Sequence, residues 1–291
     1  MHHRTVKEDE DEWRVEPGID TLSAKSYERI AQMVSAHTGI RLTAAKKMMV
    51  EGRLRKRVRA TGSKNIESYC RSLFEHDGIN AEFQHVVDAI TTNKTDFYRE
   101  PAHFELLAKR AIPELIAKPQ RNGRMVKVWS AASSTGAEAY TIAMILADLA
   151  TAYGFKFAVL GTDICMEVLA AAQRAVYTEE AVSAIPPDQR RRFLLHARRA
   201  TEFRVVPELR RLVRFEHLNL MDNEYPVDCD VDVIFLRNVL IYFDKPTQKR
   251  VVKQLLGHLR PGGFLFLGHS ESMIAGEFGL REIGSAAFQL C

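Results

Sequence analysis

The chain has 291 residues, 46% of them apolar and 27% charged, which excludes a disordered, collagen-like or membrane-embedded protein and leaves room for one large domain with a smaller partner. Its formal net charge of +4 is too small to define a partner class, and what matters is the unevenness: EDEDE near the start, KKMMVEGRLRKRVR at residues 46–59, and arginine clusters between 190 and 211. Cys70, Cys165, Cys229 and Cys291 are far apart and form no C-x-x-C pair, so neither a zinc site nor a disulfide framework is indicated and a reducing compartment fits best.

Residues 1–18 are polar, close on Pro17-Gly18 and read as a disordered acidic tail, acidic where a signal peptide would be basic and then apolar. From Tyr27 to about Leu107 the spacing is helical. SYERIAQMVSAHTG puts Ile30, Met33, Val34 and His37 on one face and stops at Gly39, a C-terminal cap. In the basic helix that follows, Val50, Leu54 and Val58 share an inward stripe, Lys46, Arg53 and Arg57 cluster beside it as a cationic face, and Arg55 and Arg59 point elsewhere. NIESYCRSLF and NAEFQHVVDAITT complete an all-helical N-terminal domain over residues 19–90, with a linker expected over 91–124.

From residue 125 to 291 strands and helices alternate. Strands are expected at VKVWSAA, FAVLGTD, VRFEHLN, VDVIFLRN, GFLFLG and AAFQL, with helices after the first, second and fourth. This predicts an α/β fold with a largely parallel, doubly wound, Rossmann-like sheet. The rhythm breaks at about residues 184–212, where two short alternating runs read as an inserted antiparallel β subdomain. The most apolar run, VDVIFLRNVLIYF, is interrupted by Arg237 and Asn238, so no membrane insertion is expected and the chain is placed in the cytosol.

Ligands of such sheets bind beyond the carboxyl ends of the strands. The turn in VKVWSAASSTGAEAY lacks the dinucleotide fingerprint, because Gly136 stands alone and Ser133, Ser134 and Thr135 fill the loop. A turn without a second phosphate-approaching glycine suits a ligand without a pyrophosphate. S-adenosylmethionine, with adenine, ribose and an amino-acid tail, is such a ligand. Asp163, at the tip of the second strand, is placed either to accept from ribose hydroxyls or to cap a helix.

TTNKTDFYRE, VWSAASSTGAEAY, GTDI, VRFEHLNL, DVIFLRNVLIYF and PGGFLFLGHSES occur in an order that resembles the chemotaxis protein methyltransferases, the CheR family, from about Ser26 to Gln289. The resemblance implies a class I methyltransferase sheet using S-adenosylmethionine. It implies cofactor contacts at Asn93, Thr95, Arg99, Glu138, Asp163, Asn219, Leu220, Arg237 and Asn238, with Arg237 equally readable as a buried structural arginine. The family's G-E-E-P-Y turn is Gly136-Ala137-Glu138-Ala139-Tyr140 here, which loses the first acid and keeps the second.

The implied reaction is methyl transfer to a glutamate side chain on a chemoreceptor's cytoplasmic helix. A carboxylate is already ionised at neutral pH, so neither general base nor metal is required. Arg99 and Tyr242 are the candidates for holding the acceptor carboxylate, and Lys46, Arg53 and Arg57 for docking the acidic receptor helix. The enzyme is expected to act as a monomer. A nucleic-acid methyltransferase is the main rival, supported by the basic helix but not by Arg237-Asn238-Val239, where amino-group methylases carry N/D-P-P-Y/F/W. A catalytically dead cofactor-binding module is the second. Some family members grip a receptor C-terminal peptide with a glycine-rich hairpin; here no glycine occurs between Gly161 and Gly257, and His196, Arg198 and Arg199 crowd the turn, so no such tether is expected.

Overall fold

The computed structural model describes residues 20–75, 78–117, 125–197 and 201–291. The tail over residues 1–18 and the turn residues Arg198 and Arg199 lie outside the described residues. Four helices come first: α1 (Ala24–Thr38), α2 (Lys47–Ala60), α3 (Ile66–Glu75) and α4 (Gly78–Ile90). α1 starts where the Ser23 hydroxyl accepts the Ser26 N–H, and stops where Gly39, at φ 71°, donates back to the Ser35 carbonyl. A Cβ at Gly39 would lie 2.6 Å from Met221 Sδ, so the glycine also lets the helical unit close on the rest of the chain. Its buried face is Tyr27, Ile30, Val34 and Thr38. His37, expected on that face, is exposed and meets Phe83 edge-on, because the stripe runs through Thr38 one position later.

In α2, Val50, Leu54 and Val58 are buried as their spacing predicts. Arg53 and Arg57 are not an exposed cationic face. Arg53 Nη1 donates to the Ile90 and Thr91 carbonyls and its Nη2 to Thr92 Oγ1, closing the C-terminal end of α4. Arg57 forks onto Glu82 through Nη2 at 2.7 Å and Nε at 3.1 Å, and Tyr69 donates to the same carboxylate. Both guanidiniums bond across helices because the stripe beside the core faces α4 rather than water. Arg57→Ala is therefore expected to lower the unfolding free energy by about 1–3 kcal/mol, since it strands a carboxylate at a helix junction. Denaturant unfolding checks this, and a value indistinguishable from that of Arg59→Ala would return Arg57 to the surface.

The stretch expected as a linker holds α5 (Pro101–Leu106), a π-helical turn at Leu107–Ala111 and α6 (Ile112–Ile116), whose Phe104, Leu107, Ile112 and Leu115 join the sheet's core. Then come β1 (Val126–Ala131), α7 (Ala137–Tyr153), β2 (Phe157–Asp163), α8 (Met166–Arg174), β3 (Val176–Thr178), α9 (Glu179–Val182), α10 (Pro187–Phe193), β4 (Leu194–His196) and β5 (Glu202–Val205). The chain finishes with α11 (Pro207–Arg210), β6 (Val213–His217), β7 (Val231–Leu236), α12 (Lys245–Leu256), β8 (Leu259–Leu267), β9 (Arg281–Gly284) and β10 (Ala287–Gln289).

The large sheet has the order β6-β2-β1-β7-β8-β10-β9. It is parallel from β6 to β8, and β10 is antiparallel to both its neighbours. The chain runs outward from β1 through β2 to β6 and then crosses to β7 on the other side of β1, so strand order reverses between β1 and β7. Both faces are covered. Val126 and Val128 pack toward α7, while Trp129 and Ala131 pack with Val251 and Leu255 of α12. The expected hairpin is β4–β5, and a third strand, β3, pairs along β5 from Val176↔Arg204 to Thr178↔Glu202. β3 and β9 have three and four residues, too few to show a period in the sequence.

Candidate active site

The cleft lies between the helical unit and the carboxyl ends of the parallel strands. Its floor is the turn after β1, where Ala132, Ser134 and Gly136 have φ of 56°, 51° and 84°. Gly136 is required twice over: a Cβ there would meet the Phe215 ring at 2.8 Å and Ala172 Cβ at 2.9 Å. The two residues of positive φ with side chains are held by bonds around them. Ser133 donates its N–H to the Thr162 carbonyl, Ser134 N–H goes to Asp163 Oδ2 at 2.8 Å, and Ser134 Oγ donates to the Asn93 carbonyl at 2.7 Å. Asp163 also accepts the Cys165 N–H at 2.9 Å. Burial pushes its carboxyl above the ordinary range, opposed by these backbone donors. Asp163 thus ties two turns together while its side chain borders the cleft.

Behind this floor runs a buried charge chain. Arg237, its side chain 2% exposed, reaches Glu138 at 2.9 Å and Glu100 at 3.0 Å, and donates a further bond to the Arg99 carbonyl. Glu138 also accepts from Ser130 Oγ at 2.7 Å. Burial works to raise the Glu100 carboxyl, but the bond from Asn238 Nδ2 and the charge of Arg237 hold it below the ordinary range. Glu271, buried, accepts the N–H groups of Gly268 and Asn238 through one oxygen and that of Ile241 through the other, anchoring the loop that ends at Tyr242. Tyr98, Glu100 and Asn238 share positive φ with Ala132 and Ser134. Strained backbone gathered about one cleft marks the place where the fold sacrifices local ease for geometry.

All nine positions expected to hold a cofactor, Asn93, Thr95, Arg99, Glu138, Asp163, Asn219, Leu220, Arg237 and Asn238, line this one cleft, together with Tyr242 and Lys46. Arg53 and Arg57 do not. Asn219 is already engaged, its amide donating to the His37 carbonyl at 2.7 Å and accepting from Met221 N–H, so it joins the sheet to α1. Lys46 Nζ donates to the Arg41 carbonyl and lies 5.5 Å from the centre of the Tyr242 ring, while Arg41 N–H bonds to the Tyr242 carbonyl. Ile40, Leu42, Met49, Leu218, Val239 and Phe243 supply the apolar wall. Glu100, Glu271 and Ser130 are absent from the sequence-based set. Glu100 had one visible signal, an acid before Pro101 at a helix start, and the other two had none.

Two family models cover the chain: the all-alpha domain of the CheR methyltransferases matches residues 25–91, and their SAM binding domain matches residues 93–285. This chain belongs to the CheR methyltransferase family. CheR relatives include chemotaxis protein methyltransferase 2 of Pseudomonas aeruginosa, 36% identical over 91% of this chain and 92% of its own. The chemotaxis protein methyltransferase of Klebsiella aerogenes is 39% identical over 89% of this chain and 88% of its own, and that of Escherichia coli 39% over 86% and 85%. The CheR enzyme described here is therefore an S-adenosylmethionine-dependent methyltransferase of chemotaxis, and the nucleic-acid alternative finds no support. Among its described residues, no helix is long and apolar enough to cross a membrane.

The cleft fits the CheR cofactor. Its wall mixes apolar side chains for a flat base with two buried carboxylates, Glu138, which is paired with Arg237, and Asp163 at the strand tip where a ribose would lie. The two arginines differ in what they have left to give. Arg237 is neutralised by two carboxylates, whereas Arg99, partly exposed, makes one side-chain bond among the described residues, Nη1 to the Lys94 carbonyl at 3.0 Å.

Proposed function

We propose that this CheR enzyme methylates the γ-carboxylate of glutamates on the cytoplasmic helices of chemoreceptors, giving glutamyl methyl esters. The observation that carries this is Arg99 and Tyr242 on one cleft, with Arg99 the cleft arginine whose charge is not consumed by the protein's own acids. S-adenosylmethionine supplies an electrophilic methyl group on a sulfonium. Arg99 and Tyr242 hold the acceptor carboxylate in line, and the wall from Ile40 to Phe243 excludes water. One cation beside one phenol suits this task, because a tighter cage would stabilise the ground state as much as the transition state. Asp163 holds the ribose end, and Arg237 acts through Glu138 and the Arg99 backbone rather than by touching either substrate. Docking of an acidic helix falls to Lys46 at the cleft and to the exposed Lys56 and Arg59, since Arg53, Arg57 and Arg55, the last paired with Glu51, are spent within the helical unit.

The test is chemical. Receptor-rich membranes incubated with enzyme and methyl-labelled cofactor should acquire label that mild alkali releases as methanol. Label stable to alkali would end the glutamate assignment. For the cofactor end, Asp163→Ala is expected to weaken S-adenosylhomocysteine binding by about 1–3 kcal/mol in calorimetry while the chain stays folded. Unchanged affinity would leave Asp163 as a brace between two turns.

A further inference from the structure

Beside the cleft, and outside its lining, two side chains three residues apart are met by a third from a distant part of the sequence. His103 lies in α5, Glu100 caps that helix, and His269 follows β8. His103 Nδ1 is 3.4 Å from Glu100 Oε2 and His269 Nδ1 is 3.3 Å from the same oxygen, and the three residues each offer a ligand atom within 4.8 Å of the other two. His103 is 1% exposed, and its Nε2 lies 2.9 Å from the Ser285 carbonyl. A carbonyl only accepts, so Nε2 carries the proton and the neutral ring turns a bare lone pair, Nδ1, toward Glu100. His103 Nδ1 has no hydrogen-bond partner among the described residues, and Glu100 Oε2 faces it while ion-paired to Arg237 at 3.0 Å. A buried imidazole lone pair turned toward a carboxylate oxygen calls for something positive between them.

We infer that Glu100, His103 and His269 form a site for a divalent transition metal ion of the zinc class. The spacing suits it, because two ligands bound tetrahedrally at zinc distances lie about 3.4 Å apart. The donor set of two imidazoles and a carboxylate suits zinc, nickel or iron rather than calcium or magnesium. The Ser285 carbonyl on the far nitrogen of His103 is the outer partner that orients a ligating imidazole. Half-exposed His269 provides the way in and leaves a coordination position to water. Arg237 shares Glu100 Oε2 at 3.0 Å, but its charge is also met by Glu138, and the carboxylate oxygen has a second lone pair for the ion. Bound there, the ion would pin the start of α5, next to Arg99, onto the segment after β8. It takes no part in methyl transfer.

The full chain, with His2 and His3 replaced by alanine to remove a competing pair, is titrated with Co2+ alone and then with Zn2+. The expected result is one Co2+ per chain with a visible absorption band, displaced by Zn2+, and a melting temperature that rises with Zn2+. His269→Ala, a change at an exposed position, should weaken Co2+ binding at least tenfold and abolish the Zn2+-dependent shift, while S-adenosylhomocysteine affinity measured with chelator present stays at the parent value. Glu100→Gln should weaken Co2+ binding likewise. Absence of Co2+ binding in the parent, or equal binding by parent and His269→Ala, overturns the site.

Discussion

Replacing Arg237 with methionine is expected to lower the unfolding free energy by about 3–5 kcal/mol, the cost of leaving buried acids without their cation. Glu138 and Glu100 are both largely buried, and Arg237 holds each at 3.0 Å or less. Methionine matches much of the aliphatic stem and lacks the guanidinium that lies over the Phe104 ring, so the change removes charge and hydrogen bonds more than volume. Cofactor binding should be lost in the same variant, because Glu138 lines the cleft and the Arg99 backbone loses its donor. Adding Glu100→Gln to the variant should recover part of the stability by removing one of the stranded charges, a coupling that a double-mutant cycle reads directly. Urea unfolding of the four proteins decides the matter. A single variant within about 1 kcal/mol of the parent, well under the cost of an unpaired buried charge, would mean that Arg237 meets the cofactor instead of bracing the site.

Arg99→Ala is expected to reduce kcat/KM for receptor methylation by roughly 10²–10³-fold, the scale seen when one preorganised charge-stabilising donor is removed. Its side chain sits half-buried on the cleft wall with its main bond to the Lys94 carbonyl, so truncation leaves no acid unpaired and the fold should be unaffected. The division between kinetic constants matters more than the size. Loss in kcat with S-adenosylhomocysteine affinity preserved assigns Arg99 to the acceptor carboxylate. Loss of S-adenosylhomocysteine affinity with kcat at saturating cofactor preserved would move Arg99 to the cofactor's own carboxylate and leave Tyr242 to hold the acceptor. Arg99→Lys should recover only part of the rate, since a point charge does not reproduce a planar fork.

Much of this was legible in the chain. Periodicity located the helical unit, the parallel strands and the turn at Gly136, because 3.6-residue and two-residue repeats are properties of one segment at a time. The family resemblance implied nine positions, and all nine line one cleft, six of them at or just beyond the carboxyl ends of parallel strands, which converge whatever lies between them. Three-residue β3 was hidden because its pairing with β5 depends on residues some 25 positions later. A charged side chain, however, does not announce its partner. The wheel that set Arg53 and Arg57 beside the stripe of α2 was right about direction, but only the packed bundle puts Glu82 and the end of α4 there to bind them. Arg237 was left between structure and contact until Glu138, 99 residues away, was seen against it, and His269 had no sequence relation to Glu100 and His103, which sit three apart at one helix start. Local sequence determines which backbone a segment takes and which way its side chains face. Whether a buried charge is a tool or a brace depends on the neutralising group that folding brings within about 3 Å, where low dielectric makes that one distance outweigh every local preference.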